Sequence, residues 1–282
     1  DPAQQVTITE SASPFQAGRA MEDLKWMAAL GPRPTGSPAQ ASLHAYLRKE
    51  LRNAGGELWE SPASDPAAPW VALWQRNRKE GEAVLLVTAC DTPPDTPAGF
   101  MGAYTGGSHT ALLLEMARTA EKKRRGKKLF FAWVDGVSAT SGQEKLSASV
   151  TALQQLLKNN GLFESVKTVM LIEEIGDCYL MLGRDEKAPA PYGAAVESAA
   201  RRLGYGRHFG KAPISETPFA AALRKSGWPV MEWRDLYFGG FAPQHNTLYL
   251  KAGDTLEKVC PDSLKAVADV LYDALPAIEA SL

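Results

Sequence analysis

Apolar positions along the chain recur at two spacings, and the switches between them outline the elements. Across 15–30 the residues Met21, Leu24, Met27 and Ala28 fall at helical intervals. The run Gly31-Pro32-Arg33-Pro34-Thr35-Gly36 places turn-forming residues one after another and ends that helix. Ser37 then precedes Pro38, a capping side chain followed by proline at the first helical position. A second helix is predicted to Ala54, with Leu43, Tyr46, Leu47 and Leu51 on one face and Gly55-Gly56 closing it. The spacing then tightens. Short strands are expected at 57–60 and 70–74, around a proline-rich loop. The runs 83–89, 129–134 and 166–172 are continuously apolar, the mark of strands buried on both faces. Tyr179-Leu180-Met181-Leu182 is expected as a fourth strand of this kind, and 229–233 as another. Helical patterns cover 111–117, 146–159, 192–203, 217–226 and 261–281.

Strands alternating with helices predict an α/β fold: a central mixed, mostly parallel sheet sandwiched by helices. Residues 1–14 are polar, contain two prolines and read as an extended arm. Residues 15–282 show no repeat and no linker, which implies a single domain.

Charge narrows the function classes. The 31 basic and 32 acidic residues leave a net charge of -1, so no global field draws the chain to nucleic acid or anionic lipid. The run from Glu121 to Lys128 is basic, but it sits between a helix and a strand and reads as a solvated connection. No apolar stretch approaches the roughly 20 residues that cross a bilayer. Cys90, Cys178 and Cys260 are far apart and form no CxxC pair, which excludes a zinc ribbon. One disulfide with one thiol, or three thiols, both fit that count. The start Asp1-Pro2-Ala3-Gln4-Gln5 suits a mature exported form, periplasmic or extracellular.

In open α/β sheets, ligands bind beyond the carboxyl ends of the strands. Here those ends carry Cys90-Asp91-Thr92, Asp135-Gly136, Glu173-Glu174 and Arg234-Asp235. Such residues make a polar or metal site, or they cap the turns that follow. Of the four histidines, His44 and His208 read as structural or surface positions. His109 and His245 fall nearer the strand-end acids in the expected fold. Ser108 and Ser138 also lie near strand ends, but neither sits in a G-x-S-x-G elbow. Trp59, Trp70, Trp74 and Trp228 are candidate contact surfaces.

Six segments in order resemble the M28 zinc aminopeptidase and glutaminyl cyclase family. Gly31-Pro32-Arg33-Pro34-Thr35-Gly36-Ser37 is similar to its GPRxxGS segment, and Thr88-Ala89-Cys90-Asp91-Thr92 to its HxD strand end. Gly102-Ala103-Tyr104-Thr105 and the helix after it resemble GAxD…LLExAR, while Phe131-Ala132-Trp133-Val134-Asp135-Gly136 resembles the strand before the paired glutamates. Leu171-Ile172-Glu173-Glu174-Ile175-Gly176-Asp177 resembles LxDMIGD, and Gly253-Asp254-Thr255-Leu256-Glu257-Lys258-Val259 resembles EDTLEKV.

The resemblance implies zinc in active members, bound by His and carboxylate ligands. Carried over residue by residue, the HxD histidine falls on Ala89 and the GAxD aspartate on Thr105. The paired glutamates, a general base and a ligand, fall on Val137 and Ser138. The DMIGD aspartate falls on Glu173 and the last histidine on Leu250. Only Glu173 keeps a carboxylate. The implied outcome is a family domain with a degenerate zinc site, no cofactor and no catalysis. Asp91, His109, Asp135, Glu174, Glu216 and His245 would then line a residual cleft for a peptide or protein partner. The alternative is an active metallo-aminopeptidase or glutaminyl cyclase whose metal site is rearranged around residues such as His245.

Overall fold

The computed structural model describes residues 5–8, 13–62, 68–76, 81–119, 126–138, 142–239 and 247–282. The three continuous apolar runs form the middle of the sheet. Strands β3 (Ala83–Ala89), β4 (Lys128–Val134) and β5 (Val166–Ile172) lie parallel, with β3 between the other two. Strand β8 (Val230–Trp233) extends the parallel half beyond β5. On the far side, β2 (Val71–Gln75) pairs antiparallel with β4, and β1 (Glu57–Glu60) antiparallel with β2. The order is β1-β2-β4-β3-β5-β8, a mixed and mostly parallel sheet as expected. Among the described residues seven α-helices flank it: α1 (Ala17–Ala29), α2 (Pro38–Ala54), α3 (His109–Thr119), α4 (Gln143–Asn159), α5 (Ala190–Arg202), α6 (Pro218–Lys225) and α7 (Pro261–Glu279).

Strand alternation sorts the core into two layers. Trp74, Leu86, Phe131, Trp133, Met170 and Ile172 belong to the cluster that contains α1, α2, α3, α5 and α7. Their neighbours Leu73, Leu85, Phe130, Ala132, Val169 and Leu171 pack with α4 and α6. Each large side chain buried in this way stabilises the fold by roughly 1.5–3 kcal/mol relative to exposure.

Local signals act where the sequence places them. Ser37 Oγ accepts the N–H of Gln40 at 3.1 Å, and Gly55 turns the chain out of α2 at φ 73°. Helix α3 has no solvent face at all; each of its residues is buried. Its two charges are therefore paired: Arg19 donates to Glu115 at 2.6 Å, and Arg118 donates to Glu50 at 2.8 Å and Asp23 at 3.1 Å.

Several expectations need correction. Residues 179–182 are not a strand: Asp177 accepts the N–H of Tyr179 at 3.1 Å and bridges to Val259, which keeps the segment turned. Strand β6 starts only at Leu182 and runs to Arg184, pairing with an unexpected β7 (Phe209–Pro213) in a separate two-stranded sheet. Trp70, Trp74 and Trp228 are buried rather than presented to solvent, and Trp59 is half-buried. Val6, expected in a polar arm, is buried in the core. Most of the basic run lies outside the described residues, while Lys127 pairs with Glu82. Cys178 and Cys260 form a disulfide and Cys90 is a buried thiol. Among the described residues no helix is long and apolar enough to cross a membrane.

Candidate functional site

The carboxyl ends of β3, β4, β5 and β8 meet at one edge of the sheet, where two loops must be held close together. Arg33 does much of this. Its fully buried guanidinium donates to the carbonyls of Gly31 (2.6 Å), Gly102 (2.6 Å) and Met101 (3.0 Å). Burial lowers its pKa to about 10, so it stays charged at neutral pH. Asp254 fixes the next turn by accepting the N–H groups of Tyr104 at 2.7 Å and Thr105 at 3.0 Å. In that turn Gly106 has φ 78°, and a Cβ there would meet the Asp91 carbonyl oxygen at 2.6 Å. Only glycine fits.

A pocket of about 130 Å³ opens over β5 and β8. Its apolar wall includes Val137, Phe219 and Phe238, the last stacked on Tyr104 at 3.9 Å. Its polar wall is a set of acids around one cation. Glu173 ends β5 and accepts from Thr217 Oγ1 at 3.3 Å. Burial pushes its carboxyl well up, with Glu232 and Glu174 adding to the shift. Glu174 follows with φ 46°, a left-handed conformation uncommon outside glycine. Its carbonyl accepts from Tyr104 Oη at 2.7 Å and its carboxylate from Tyr249 Oη. Arg234 donates to Glu232 at 2.9 Å and stands 3.9 Å from Glu174. Burial raises the carboxyls of Glu174 and Glu232 as well. Three carboxyl groups share one guanidinium, and burial favours a proton on those it does not neutralise.

His109 supports this wall from behind. Its Nδ1 accepts the Glu174 N–H at 2.8 Å, which puts the ring proton on Nε2. Burial, with Arg33 nearby, pushes its pKa down to about 3. It is a neutral positioning residue.

A second polar cluster sits at the ends of β3 and β4. Asp91 accepts the N–H groups of Val137 and Ser138, each at 3.4 Å. Burial, then the neighbouring Asp135, pushes its carboxyl up to about 7. Asp135 accepts the Cys90 thiol at 2.9 Å and has His44 Nε2 2.6 Å from its other oxygen. The His44 ring stacks on Trp70 at 4.0 Å.

Of the positions singled out in the sequence, Val137, Glu173, Glu174, Arg234 and Asp235 line the pocket. Ala89, Thr105 and Ser138 are buried but do not line it, and neither do Asp91, His109 and Asp135. Leu250 is half-buried at φ 55°, and its neighbour Tyr249 is the lining residue. Glu216 is paired with Lys187 and Arg224. His245 lies outside the described residues. Among the described residues no group of three His, Cys, Asp or Glu side chains is arranged to hold a metal ion. The sequence reading missed Tyr104, Glu232 and Tyr249. Glu232 and Arg234 did carry a signal, because residues two apart on a strand share a face.

No family model and no curated protein matches the chain. Solved structures do. A glutaminyl cyclase from an Acidobacteriales bacterium is similar over 99% of this chain and 100% of its own, with a TM-score of 0.82 and 23% identity. Glutaminyl cyclase from Porphyromonas gingivalis covers 94% and 99%, at 0.77 and 19%. A Zn-dependent exopeptidase from Parabacteroides distasonis covers 93% and 98%, at 0.73 and 20%. The chain therefore has the fold shared by glutaminyl cyclases and zinc-dependent exopeptidases, the M28-like fold.

Proposed function

We propose that the chain is a glutaminyl cyclase-like domain that has given up zinc catalysis and uses its strand-end pocket to hold the amino-terminal end of a peptide or protein partner. One observation carries the reading: Glu174 and Glu232 are matched to Arg234 and Tyr249, and Glu173 to Thr217, rather than forming an open set of metal donors. Zinc takes imidazole, thiolate or carboxylate ligands. Ala89, Val137 and Leu250 offer no donor atom, and Thr105 and Ser138 offer only neutral hydroxyls. These residues do not fit the metal. Without a carboxylate at 137, the family's general base is missing as well. An ammonium group suits what remains, since it would take the place of the proton that burial favours on Glu173 while Tyr104 and Phe238 take the first side chain. Residues 15–282 act as one domain in this reading. The Cys178–Cys260 disulfide supports export to an oxidising compartment.

The test is to load the protein with excess zinc, remove free metal and measure zinc per chain. The same protein is then titrated with short peptides bearing free or acetylated amino termini. The expected result is no retained zinc and binding only of the free amine. Stoichiometric zinc, with chelator-sensitive release of terminal residues or cyclisation of terminal glutamine, would sink the proposal in favour of an active enzyme.

A further inference from the structure

A second cavity, of about 170 Å³, lies between the first turns of α2 and the ends of β1 and β2. That volume is comparable to protein cavities that take up benzene. Ala41, Pro62, Pro69 and Trp70 make its walls apolar, and Gln40 and His44 are its principal polar residues. Ser61, also at the rim, is already engaged: it accepts the N–H of Val71 at 3.0 Å and donates to the Pro69 carbonyl at 3.3 Å.

Gln40 is the telling residue. It is 2% exposed, and its Oε1 accepts the Gly36 N–H at 2.7 Å. That bond fixes the amide orientation, because only the oxygen can face an N–H donor. Nε2 therefore points the other way, and among the described residues it has no acceptor. Buried donors are rarely left unmade. His44 stands beside it, stacked on Trp70, with Nε2 close to Asp135 yet out of line for a hydrogen bond. The amino-terminal end of α2, starting at Pro38, adds a field that favours electron-rich groups.

We propose that this cavity binds a small aromatic or branched apolar group carrying a carbonyl-type oxygen, which accepts the unpartnered hydrogen bond from Gln40 Nε2. The apolar body would lie against Trp70 and the two prolines. A neutral ketone and a carboxylate share this chemistry.

Acetophenone, benzoate and toluene separate the possibilities, with the side-chain amide of Gln40 and the indole N–H of Trp70 followed by NMR. Acetophenone, benzoate or both should bind about tenfold more tightly than toluene and move the Gln40 signal, as a buried hydrogen bond gained by only some ligands requires. The tighter of the two tells a neutral from a charged natural ligand. Gln40→Glu keeps an acceptor for Gly36 but removes the donor, and should reduce acetophenone to the affinity of toluene. Ala41→Phe should fill the cavity and abolish binding of all three. Equal binding of the three ligands to the wild-type protein would overturn the proposal. So would unchanged affinity of the tighter of the two oxygen-bearing ligands in Gln40→Glu, or perturbations confined to the Glu173 pocket.

Discussion

Two acid clusters stand at the same edge of the sheet and are neutralised differently. Over β5 and β8, Glu173 and Glu174 line an open pocket with Arg234, which Glu232 holds from outside the lining. At the ends of β3 and β4, Asp91 and Asp135 are closed in, and hydrogen bonds from backbone N–H groups and a thiol hold them, with the His44 ring close to Asp135. Buried carboxylates need one kind of partner or the other. The first arrangement puts raised carboxyls on the wall of an open pocket, where a cationic ligand would favour their ionised form. The second spends most of its acceptors inside the protein and suits a scaffold. Strand-end acids alone therefore do not mark a site; what neutralises them does.

The sharpest way to break the contrast is Arg234→Met. It strands Glu174 and Glu232 without their cation and should cost about 3–5 kcal/mol in urea unfolding at neutral pH. These carboxyls are raised in the folded state, so protonation relieves them and the loss should shrink as pH falls. An equal loss at pH 5 and pH 8 would remove charge from the explanation. Next is Asp91→Asn. With a folded pKa of about 7 against roughly 3.9 when unfolded, Asp91 holds a proton in the native state that the unfolded chain has released. Its contribution thus declines as pH rises between those values, by about 1.4 kcal/mol per pH unit. The variant should gain about 2.6 kcal/mol on the wild type between pH 5 and pH 8, read as diverging melting temperatures. Parallel curves would show that Asp91 is not the titrating group. The smallest effect belongs to Tyr249→Phe, which removes one hydrogen bond to Glu174 and keeps the ring. It should cost about 1 kcal/mol and weaken binding of a free amino terminus. No change in either would place Tyr249 outside the wall.

Much of this was legible in the chain, for identifiable reasons. Strands β3, β4 and β5 are buried on both faces, so their residue types leave no other reading. Ser37-Pro38 and Gly55 announce the limits of α2 because capping and left-handed turns depend on local chemistry. Strand β7 was not legible, since Gly210 and Pro213 are poor strand residues and its pairing with β6 comes from the tertiary structure. The apolar run 179–182 misled for the opposite reason: a carboxylate two residues before Tyr179 bends a segment whose composition suits a strand. In the pocket, Glu173 and Glu174 were visible as a strand end. Tyr249 was not, because its bond to Glu174 joins residues 75 apart. The packing of His44 on Trp70 likewise joins a helix to the approach to β2, a contact no spacing rule contains.

The Cys178–Cys260 bond has a mechanical meaning. The linked residues lie 82 apart, and the span between them holds β6, β7, α5, α6, β8, Arg234 and Tyr249. A molecule pulled from its two ends would bear tension through the covalent bridge and not through that span. About 280 Å of chain would stay hidden from the extension curve until a reductant is added. Arg234 and Tyr249 would thus remain on an unstretched loop while the first helices and β1 to β5 are drawn out.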